Sequence, residues 1–313
     1  MVCVGATLCL IFIGGLVTST GSALAVPDWP LAFGRLIPKL EGGVRFEYGH
    51  RVAAGIVSML TLGLAIWTAR VEPRRAVRRM AYGAFALVIF QAVLGGVTVL
   101  LELPLAIAVT HAATAQAFFC LIVAITVVMN PRLGVPCADF AARQAPATLP
   151  TQGVAMTAAI YLQIVIGAVM RHLGAGLAIP DFPLSYGRLV PPLDSGFVVI
   201  NFTHRCGALI VAILVVWTVA RVLRNAPGEP RLRRPAVGLL VLLVLQVTLG
   251  ALTIWSGRAV LPTTAHVAIG AAVLATSLAL TIRLYALGAS HAYAEPATLR
   301  GSPGAMAEPR ASA

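Results

Sequence analysis

Charged residues are scarce in this sequence. Asp, Glu, Lys and Arg make up only 11% of its 313 residues, less than half of the roughly 25% that soluble domains carry. That scarcity excludes an intrinsically disordered chain, which combines high charge with low hydrophobicity, and almost any soluble enzyme. Basic residues outnumber acidic ones by 23 to 11, but they occur in short clusters between long apolar runs. A nucleic-acid-binding domain gathers them on one face, so that class is excluded as well.

Cysteine is also rare. The chain has five cysteines, which are too few and too scattered for a disulfide framework. They are Cys3, Cys9, Cys120, Cys137 and Cys206. None of them falls in a loop that is expected on the outer side of the membrane, so no disulfide is expected in the outer loops.

Apolar residues, in contrast, are abundant. They account for 59% of the chain, and the mean hydropathy is +0.90. A helix that crosses the hydrocarbon core of a bilayer needs about 20 mostly apolar residues, and in lipid the backbone has to satisfy its polar groups within the helix. Eight runs are long enough: 2–24, 50–69, 80–101, 105–129, 154–176, 201–221, 236–257 and 262–286. The predicted fold class is therefore all-α, a polytopic membrane protein with eight transmembrane helices.

The first run has an alternative interpretation as a secretory signal peptide, since residues 23–25 resemble a cleavage site. No basic residue precedes this apolar stretch, however, and the stretch is long for a signal peptide. The run also has a counterpart later in the chain, which is the stronger objection. We expect it to be retained as a transmembrane helix. The sequence does not decide whether the true N-terminus lies upstream of Met1.

The arginines predict the orientation of the helices, because basic residues are enriched in cytoplasmic loops. The loops after the second, fourth and sixth runs, together with the C-terminal end, carry 15 basic residues, against 8 on the opposite side. Both termini are therefore expected in the cytoplasm, with the protein in the cell inner (plasma) membrane. The loops around 26–49 and 177–200 are expected outside.

The sequence contains an internal duplication. Residues 14–38 and 167–191 align without gaps and are identical at 12 of 25 positions. The correspondence continues along the chain at an offset of 153 to 155 residues. Each repeat has an even number of helices, so both repeats have the same orientation and should be related by an axis along the membrane normal. We predict two tandem four-helix bundles related by a pseudo-twofold duplication.

This duplication predicts how the chain is divided. An N-terminal four-helix half is expected over residues 1–130, and a cytoplasmic linker over 131–153. A C-terminal four-helix half is expected over 154–290, followed by a disordered cytoplasmic tail over 291–313.

Four histidines occupy equivalent places in the two repeats. Each lies near the start of an even-numbered helix, which predicts side chains in the outer third of the bilayer. They are His50 and His111 in the first repeat, and His204 and His266 in the second. Ionisable groups within spans usually mark function, and imidazoles from facing helices suit the axial ligation of a haem. Zinc needs three or four converging ligands. We interpret the histidines as two bis-histidine haem sites; interhelical hydrogen bonds and proton relays are the alternatives.

The two repeats differ beside the first histidine. Glu47 lies three residues before His50, and the equivalent position in the second repeat is Asn201. Residues three apart are neighbours on a helix, so Glu47 is expected beside the first haem site. A carboxylate there can act as an acid or base, or stabilise a transition state. An interfacial ion pair with Arg45 or Arg51 is the alternative.

Two arginines and two aspartates also recur at equivalent positions. Arg51 and Arg205 each follow a histidine, and their guanidinium groups are expected to bind haem propionates or loop carboxylates. Anchoring of the helix end is the alternative for both. Asp28 and Asp181 lie in equivalent turns, and we interpret them as structural residues that cap a helix or fix the loop.

Further polar residues lie within or at the end of the runs. His172 has a serine as its counterpart in the first repeat, so it lies outside the duplicated site. A contact with a haem edge or propionate is the functional interpretation of this residue. Three glutamines each precede a glycine by four residues, a spacing that suits close helix packing with an amide hydrogen bond across it. They are Gln91, Gln163 and Gln246.

Taken together, the motifs resemble those of the haem A synthase family. The first repeat contributes PDWPLAFGRLIP, EYGHR and THAATAQ, and the second PDFPLSYGRLVP, NFTHR and TTAHVAIG. The resemblance covers nearly the whole chain, apart from the tail. It implies an oxidoreductase that converts the C8 methyl of haem O to a formyl group by successive hydroxylations, giving haem A for terminal oxidases.

The resemblance also implies roles for individual residues. His50 and His111 hold the substrate haem, and Glu47 acts in catalysis. His204 and His266 hold a haem b through which electrons leave. The implied neighbours are a haem O synthase, which is a farnesyltransferase, and an aa3-type terminal oxidase. The resemblance identifies neither the electron acceptor nor whether the protein forms a homo-oligomer.

This sequence departs from the family in one respect. Some bacterial members carry a cysteine pair in an outer loop, where this chain has Val26 and Ala32. The matching places in the second repeat hold Ile179 and Ser185. A disulfide role in these loops is therefore not expected here.

Two other functions compete with the enzymatic one. A quinol-linked, di-haem b-type electron carrier would use the same four histidines without modifying a haem. A transporter also often has duplicated halves, but no run is clearly broken at the midplane, and the ionisable groups cluster near one face. The identity of the bound haems discriminates between the enzyme and the carrier.

Overall fold

The computed structural model describes residues 1–130, 148–226 and 228–294, with side chains described as far as residue 286. In this part of the chain eight α-helices follow one another. They are α1 (Val2–Ser19), α2 (Val44–Val71), α3 (Arg75–Leu100), α4 (Leu105–Met129), α5 (Thr148–His172), α6 (Gly196–Asn225), α7 (Pro230–Trp255) and α8 (Val260–Ala294). A short 3-10 turn, Ala175–Leu177, follows α5.

All eight helices are long and apolar enough to cross a membrane. Over the described ranges the chain forms no β-strand, only two isolated bridges in the loops that follow α1 and α5. The predicted all-α, multi-pass membrane fold is therefore confirmed.

The helix ends differ from the predicted runs by a few residues. The helix α1 ends at Ser19 instead of residue 24, because the chain turns at Gly21, whose φ is 67°. The helix α5 ends at His172 instead of residue 176, with Gly174 at a φ of 73°. Glycine adopts these left-handed angles without the steric cost that a Cβ atom imposes.

The start of α5 corrects the predicted linker. The linker was expected to run to residue 153, but α5 already begins at Thr148. Arg221 of α6 holds this first turn, donating hydrogen bonds to Thr148 Oγ1 at 3.0 Å and to Gln152 Oε1 at 2.7 Å. The rest of the linker, with Cys137, and the tail from residue 295 lie outside the described residues.

The helices pack as two sets of four. In the N-terminal set, consecutive helices from α1 to α4 lie side by side, and α4 returns to α1. The C-terminal set from α5 to α8 has the same order of neighbours, with α8 against α5. Helices α2 and α4, and likewise α6 and α8, therefore lie diagonally across their sets, which is how four-helix bundles place facing side chains.

The two sets meet through α1, α4, α5 and α8. Buried apolar side chains fill this interface: Phe119, Val123 and Val127 from α4 pack with Ala271 from α8. The outward helix faces are apolar too; Met59 and Leu209, for example, are 68% and 63% exposed. Extensive apolar surface is rare on soluble monomers, and here it faces the lipid.

The loops after α1 and α5 share one internal scaffold. We name them loop A (residues 20–43) and loop B (residues 173–195). In loop A, the carboxylate of Asp28 accepts hydrogen bonds from the backbone N–H groups five and six positions later, at 2.7 and 2.8 Å. In loop B, Asp181 accepts the equivalent pair at the same distances. Both aspartates fix their loops, as the sequence predicted.

Candidate functional site

The four histidines lie on four different helices and come together in two pairs. His50 on α2 and His111 on α4 are close enough for their charges to interact. His204 on α6 and His266 on α8 are related in the same way. Each pair therefore lies within one set of four helices, and we call them the N-terminal pair and the C-terminal pair.

The first histidine of each pair packs against a glycine of the preceding helix. A Cβ atom added to Gly14 of α1 would lie 3.0 Å from Cε1 of His50. A Cβ atom added to Gly167 of α5 would lie 2.9 Å from Cε1 of His204. Side chains do not fit at such distances without movement of the ring, so glycine allows the imidazole to lie against the helix backbone.

The second histidine of each pair has the same support. Cβ atoms added to Gly95 of α3 and Gly250 of α7 would lie 3.2 and 3.1 Å from Cε1 of His111 and His266. The glutamine spacing predicted close helix packing at Gly95, Gly167 and Gly250. It did not indicate that these glycines and Gly14 support the imidazole rings, although a glycine at each of these places in both repeats was the available signal.

The ring nitrogens of the N-terminal pair lack protein partners. Nδ1 of His50 and Nδ1 of His111 are both enclosed and make no hydrogen bond. Gln91 does not reach either ring; its Nε2 donates to the backbone carbonyl of His111 at 3.0 Å and to Thr114 Oγ1 at 2.5 Å. Buried polar nitrogens without a partner are uncommon, so these imidazoles are available to a group from outside the protein.

The ring nitrogens of the C-terminal pair do have protein partners. Gln163 Nε2 lies 3.0 Å from Nδ1 of His204 and donates to its backbone carbonyl at 2.7 Å. Nδ1 of His266 lies 3.0 Å from the backbone carbonyl oxygen of Gln246, whose Nε2 is 3.3 Å from Nε2 of the same ring. A carbonyl only accepts, so Nδ1 of His266 carries the proton, and its Nε2 accepts from the Gln246 amide with the lone pair that a metal would use. The amide of Gln163 only donates here, so Nδ1 of His204 is the acceptor in that contact.

Glu47 is buried beside the N-terminal pair, with only 3% of the residue exposed. Its Oε2 accepts a hydrogen bond from the backbone N–H of Val26 at 2.8 Å, and its Oε1 accepts one from Arg51 at 2.7 Å. The ion pair considered as an alternative is therefore formed, and its partner is Arg51. Arg45 lies instead over the ring of Phe46, 4.8 Å from its centroid.

Arg51 holds loop A onto α2. Its Nη1 donates to the carbonyl oxygens of Asp28 and Leu31 at 2.8 and 2.9 Å, and its Nη2 donates to that of Val26 at 3.0 Å. Both terminal nitrogens thus bind the loop backbone, in addition to the bond to Glu47. The contact of Arg51 with a haem propionate stays a prediction.

Arg205 holds loop B onto α6 in the same way. Its Nη1 donates to the carbonyl oxygens of Asp181 and Leu184, both at 2.8 Å, and its Nη2 donates to that of Ile179 at 2.9 Å. Its Nε donates to Asn201 Oδ1 at 3.0 Å. The propionate contact of Arg205 also stays a prediction.

Asn201 replaces the buried carboxylate in the C-terminal set. It is 2% exposed, and its Nδ2 donates to the carbonyl oxygens of Ala175 and Gly176 at 2.8 and 3.2 Å. Glu47, in contrast, only accepts hydrogen bonds. The equivalent positions therefore meet the neighbouring loop with opposite hydrogen-bonding character.

His172 lies on the side of the N-terminal pair, although its helix belongs to the C-terminal set. It is close enough to His111 for the two charges to interact. The first repeat has no histidine at the equivalent position, which is Ser19. A contact between His172 and a haem edge stays a prediction.

The arrangement fits the axial ligation of haem. Within the described ranges, no group of three or more His, Cys, Asp or Glu side chains lies close enough to hold a metal ion. Each pair instead offers two imidazoles from diagonal helices, and the N-terminal rings have an unpartnered buried nitrogen. A flat macrocycle with two axial nitrogen ligands, in an apolar bundle, needs this donor set.

Comparison with known proteins places the site in a family context. A family profile described as cytochrome oxidase assembly protein matches residues 44–278, a range that contains all four histidines and Glu47. The Heme A synthase of Symbiobacterium thermophilum is 35% identical over 245 residues, covering 76% of this chain and 79% of that protein. The Heme A synthases of Shouchella clausii and Staphylococcus saprophyticus are 32% and 28% identical, covering 66% and 80% of this chain and 70% and 83% of their own lengths.

Proposed function

We propose that this chain, which belongs to the family of cytochrome oxidase assembly proteins, is a haem A synthase that oxidises the C8 methyl group of haem O to a formyl group. The observation that carries this proposal is the similarity, over most of the chain, to several proteins named Heme A synthase. The two pairs of histidines support it, because they provide the donor sets that a substrate haem and a second haem require.

The N-terminal pair binds the substrate. His50 and His111 are the axial ligands of haem O, and Glu47 lies three residues from His50 on the same helix. The presence of a buried carboxylate in this set, and of an amide at the equivalent position in the other, supports the assignment. The chemistry belongs to the set of helices that has a group able to exchange protons.

Glu47 acts as the proton acceptor. Conversion of a methyl group to a formyl group is a four-electron oxidation in which the carbon loses hydrogen, so the site needs a base. Each carboxylate oxygen of Glu47 accepts one hydrogen bond, from Val26 and Arg51. When the carboxylate takes up a proton, Arg51 stays bonded to three loop carbonyls, so loop A keeps its position.

The unpartnered rings of the N-terminal pair suit a substrate that has to be exchanged. A ligating imidazole usually gains basicity and a fixed orientation from a partner on its second nitrogen. Among the described residues, neither ring nitrogen of His50 or His111 takes part in a hydrogen bond, so whichever nitrogen binds the iron, the other has no such partner. They are therefore weaker and less constrained ligands, as the release of haem A requires.

The C-terminal pair holds a resident haem b. When bound, this group supplies a redox centre through which electrons leave the substrate site. Gln163 and the carbonyl of Gln246 hold the rings of His204 and His266. The Gln246 carbonyl accepts from Nδ1 of His266, which is the partner that a metal-ligating histidine usually has. Gln163 instead donates to Nδ1 and to the backbone carbonyl of His204, and so fixes the position of that ring.

The proposal includes a location and a division of the chain. The protein lies in the cell inner membrane with both termini in the cytoplasm and with loops A and B outside; the excess of basic residues on one side, 15 against 8, supports this. Residues 1–130 and 154–290 act as duplicated halves, supported by their equal helix order and loop hydrogen bonds. A haem O synthase supplies the substrate, and an aa3-type oxidase receives the product.

The test is production of haem A in membranes that contain this protein and a haem O synthase. Haems are extracted, separated by chromatography and identified by mass spectrometry, and a haem with the formyl mass is expected. Glu47→Gln keeps the shape of the side chain and is expected to lower haem A at least about 100-fold, as loss of a catalytic base does. Glu102→Gln, a change at an exposed acid beyond α3, is the matched control and should leave haem A unchanged.

Two outcomes contradict the proposal. Normal haem A in the Glu47→Gln and Glu47→Ala variants would remove the assigned role of that residue. Haem b alone, with unconverted haem O present, would favour the electron carrier over the enzyme.

A further inference from the structure

Two arginines meet beside the C-terminal pair without an acidic partner. Arg171, at the end of α5, and Arg258, in the turn between α7 and α8, are close enough for their charges to interact. Neither belongs to the salt bridges formed by the residues that the structure describes, which join Arg51 to Glu47 and Arg74 to Glu72. Arg258 is exposed and lies against loop B, with its Cδ 3.8 Å from a Cβ atom built on Gly176. Two neighbouring cations repel each other unless an anion joins them.

The guanidinium of Arg171 has a donor to spare. Its Nη2 donates to the carbonyl oxygen of Gly15 and to Ser19 Oγ, both at 2.8 Å, which ties α5 to α1. Its Nε is enclosed and makes no hydrogen bond. A buried donor on a charged group is costly to leave unpaired, so this position lacks an acceptor.

The position of Arg171 relates it to the C-terminal pair. It lies four residues after Gly167, the glycine that supports the ring of His204, and one helical turn is about 5.4 Å. It is also close enough to His266 for the charges to interact. Arg171 therefore lies one helical turn beyond the glycine that supports His204, at the end of α5 that leads into loop B.

The N-terminal set has no such cations. The positions equivalent to Arg171 and Arg258 are Thr18 and Leu103. The hydroxyl of Thr18 donates to the carbonyl of Gly14 in its own helix at 3.3 Å. The cationic pair is therefore a property of the C-terminal site and not of the shared framework.

We infer that Arg171 and Arg258 bind a propionate carboxylate of the haem held by His204 and His266. The inference rests on the proposed function, because it assumes a haem at that pair. The carboxylate accepts the free N–H of Arg171 and offsets the repulsion between the two arginines. Their positive charges also favour the reduced haem, which carries one more electron, so the C-terminal haem is the better electron acceptor of the two.

The experiment compares two haems that differ only in their propionates. Protein made without haem, in a His111→Ala background that leaves the C-terminal pair intact, is titrated with protohaem and with protohaem dimethyl ester. Absorbance gives the affinity. Arg171→Leu is expected to weaken protohaem binding about tenfold, the size of a charge-assisted hydrogen bond, while the ester binds parent and variant alike.

Two further variants separate the anion from the helix contact. Ser19→Ala removes one hydrogen bond of Arg171 to α1 but keeps the cation, and should retain the preference for protohaem over the ester. Arg258→Gln leaves the contact between α1 and α5 intact, so it tests the site even when Arg171→Leu does not fold. Arg258→Gln and Arg171→Leu are both expected to lower the reduction potential of the bound haem, whereas Ser19→Ala does not.

The outcomes distinguish failure of this inference from failure of the proposed function on which it rests. Equal preference for protohaem in the parent and in both arginine variants would overturn the inference while haem binding stands. If added chloride abolishes the preference, a free anion is the ligand and the propionate assignment is wrong. If the parent binds neither haem, the proposed haem b site itself is wrong.

Discussion

The N-terminal and C-terminal pairs hold their imidazoles against the same kind of support but leave them in different states. In both sets a glycine of the preceding helix supports each ring. In the N-terminal set Nδ1 of His50 and of His111 makes no hydrogen bond, whereas His204 and His266 have partners at Nδ1. One framework therefore carries a loosely held pair and a firmly held pair.

The same contrast appears one turn away, where the helices meet the loops. Glu47 accepts a hydrogen bond from the backbone of loop A, while Asn201 donates to the backbone of loop B. The arginine that follows each histidine binds its loop identically in the two sets. Under the proposed function, single substitutions inside a common framework separate a site for chemistry from a site for a resident group.

Loss of a ligand has the largest expected effect on this comparison. His111→Ala is expected to abolish binding of haem O and formation of haem A while haem b is retained. His266→Ala is expected to remove haem b, because the remaining imidazole cannot ligate both faces of the iron. Visible spectra and extracted haems of purified protein measure both.

Glu102→Gln, at an exposed position beyond α3, is the control for these ligand variants and should keep both haems. If His111→Ala and His266→Ala lose the same haem, the two pairs are not independent sites and the comparison fails.

The glycine supports come next in size. Gly14→Ala and Gly167→Ala place a methyl group 3.0 and 2.9 Å from a ring carbon, so each ring has to shift at a cost of about 1–3 kcal/mol. We expect each variant to lose haem from its own pair, measured as haem per protein. Gly55→Ala and Gly238→Ala, which meet no atom within 4 Å, are matched controls and should keep both haems.

The glutamine beside His204 allows a more selective test of the difference between the two histidine pairs. Gln163 stands beside Nδ1 of His204, and the equivalent position in the N-terminal set is Leu10. Gln163→Leu is expected to weaken haem b binding about tenfold, because His204 loses the two hydrogen bonds by which the Gln163 amide fixes its ring and backbone. Leu10→Gln is expected to tighten haem O binding and slow release of haem A. Equal affinities in the parent and both variants would mean that these partners do not distinguish the pairs.

Much of this organisation follows from the sequence because it depends on long apolar runs and on a repeat. Eight helices, and the places of the histidines on them, follow from about 20 apolar residues each and from matched spacing. The helix ends did not follow, since Gly21 and Gly174 stop α1 and α5 through backbone angles. Nor did the partner of Glu47, because choosing Arg51 over Arg45 depends on how loop A folds back.

The smallest expected effect concerns acid stability of the loops. The backbone N–H groups of Gly34 and Phe33 hold the pKa of Asp28 below its ordinary value of 3.8, and those of Gly187 and Tyr186 lower the pKa of Asp181 in the same way. Because the folded pKa is depressed, the stabilisation is complete above the ordinary value and is lost as the pH falls through the folded one.

Asp28→Asn and Asp181→Asn should therefore lower the thermal midpoint slightly at neutral pH, because an amide cannot accept from both backbone donors. They should also reduce the further fall of the midpoint in acid, because an amide does not titrate there. Differential scanning calorimetry between about pH 6 and pH 3 measures the thermal midpoint across this window. The two loops also differ in one contact: loop A donates from Val26 to Glu47 of α2, whereas the equivalent residue of α6, beside loop B, is Asn201. Asp28→Asn should thus reduce haem A formation more than Asp181→Asn does. An equal reduction in both would mean that loop A acts through general stability and not through Glu47.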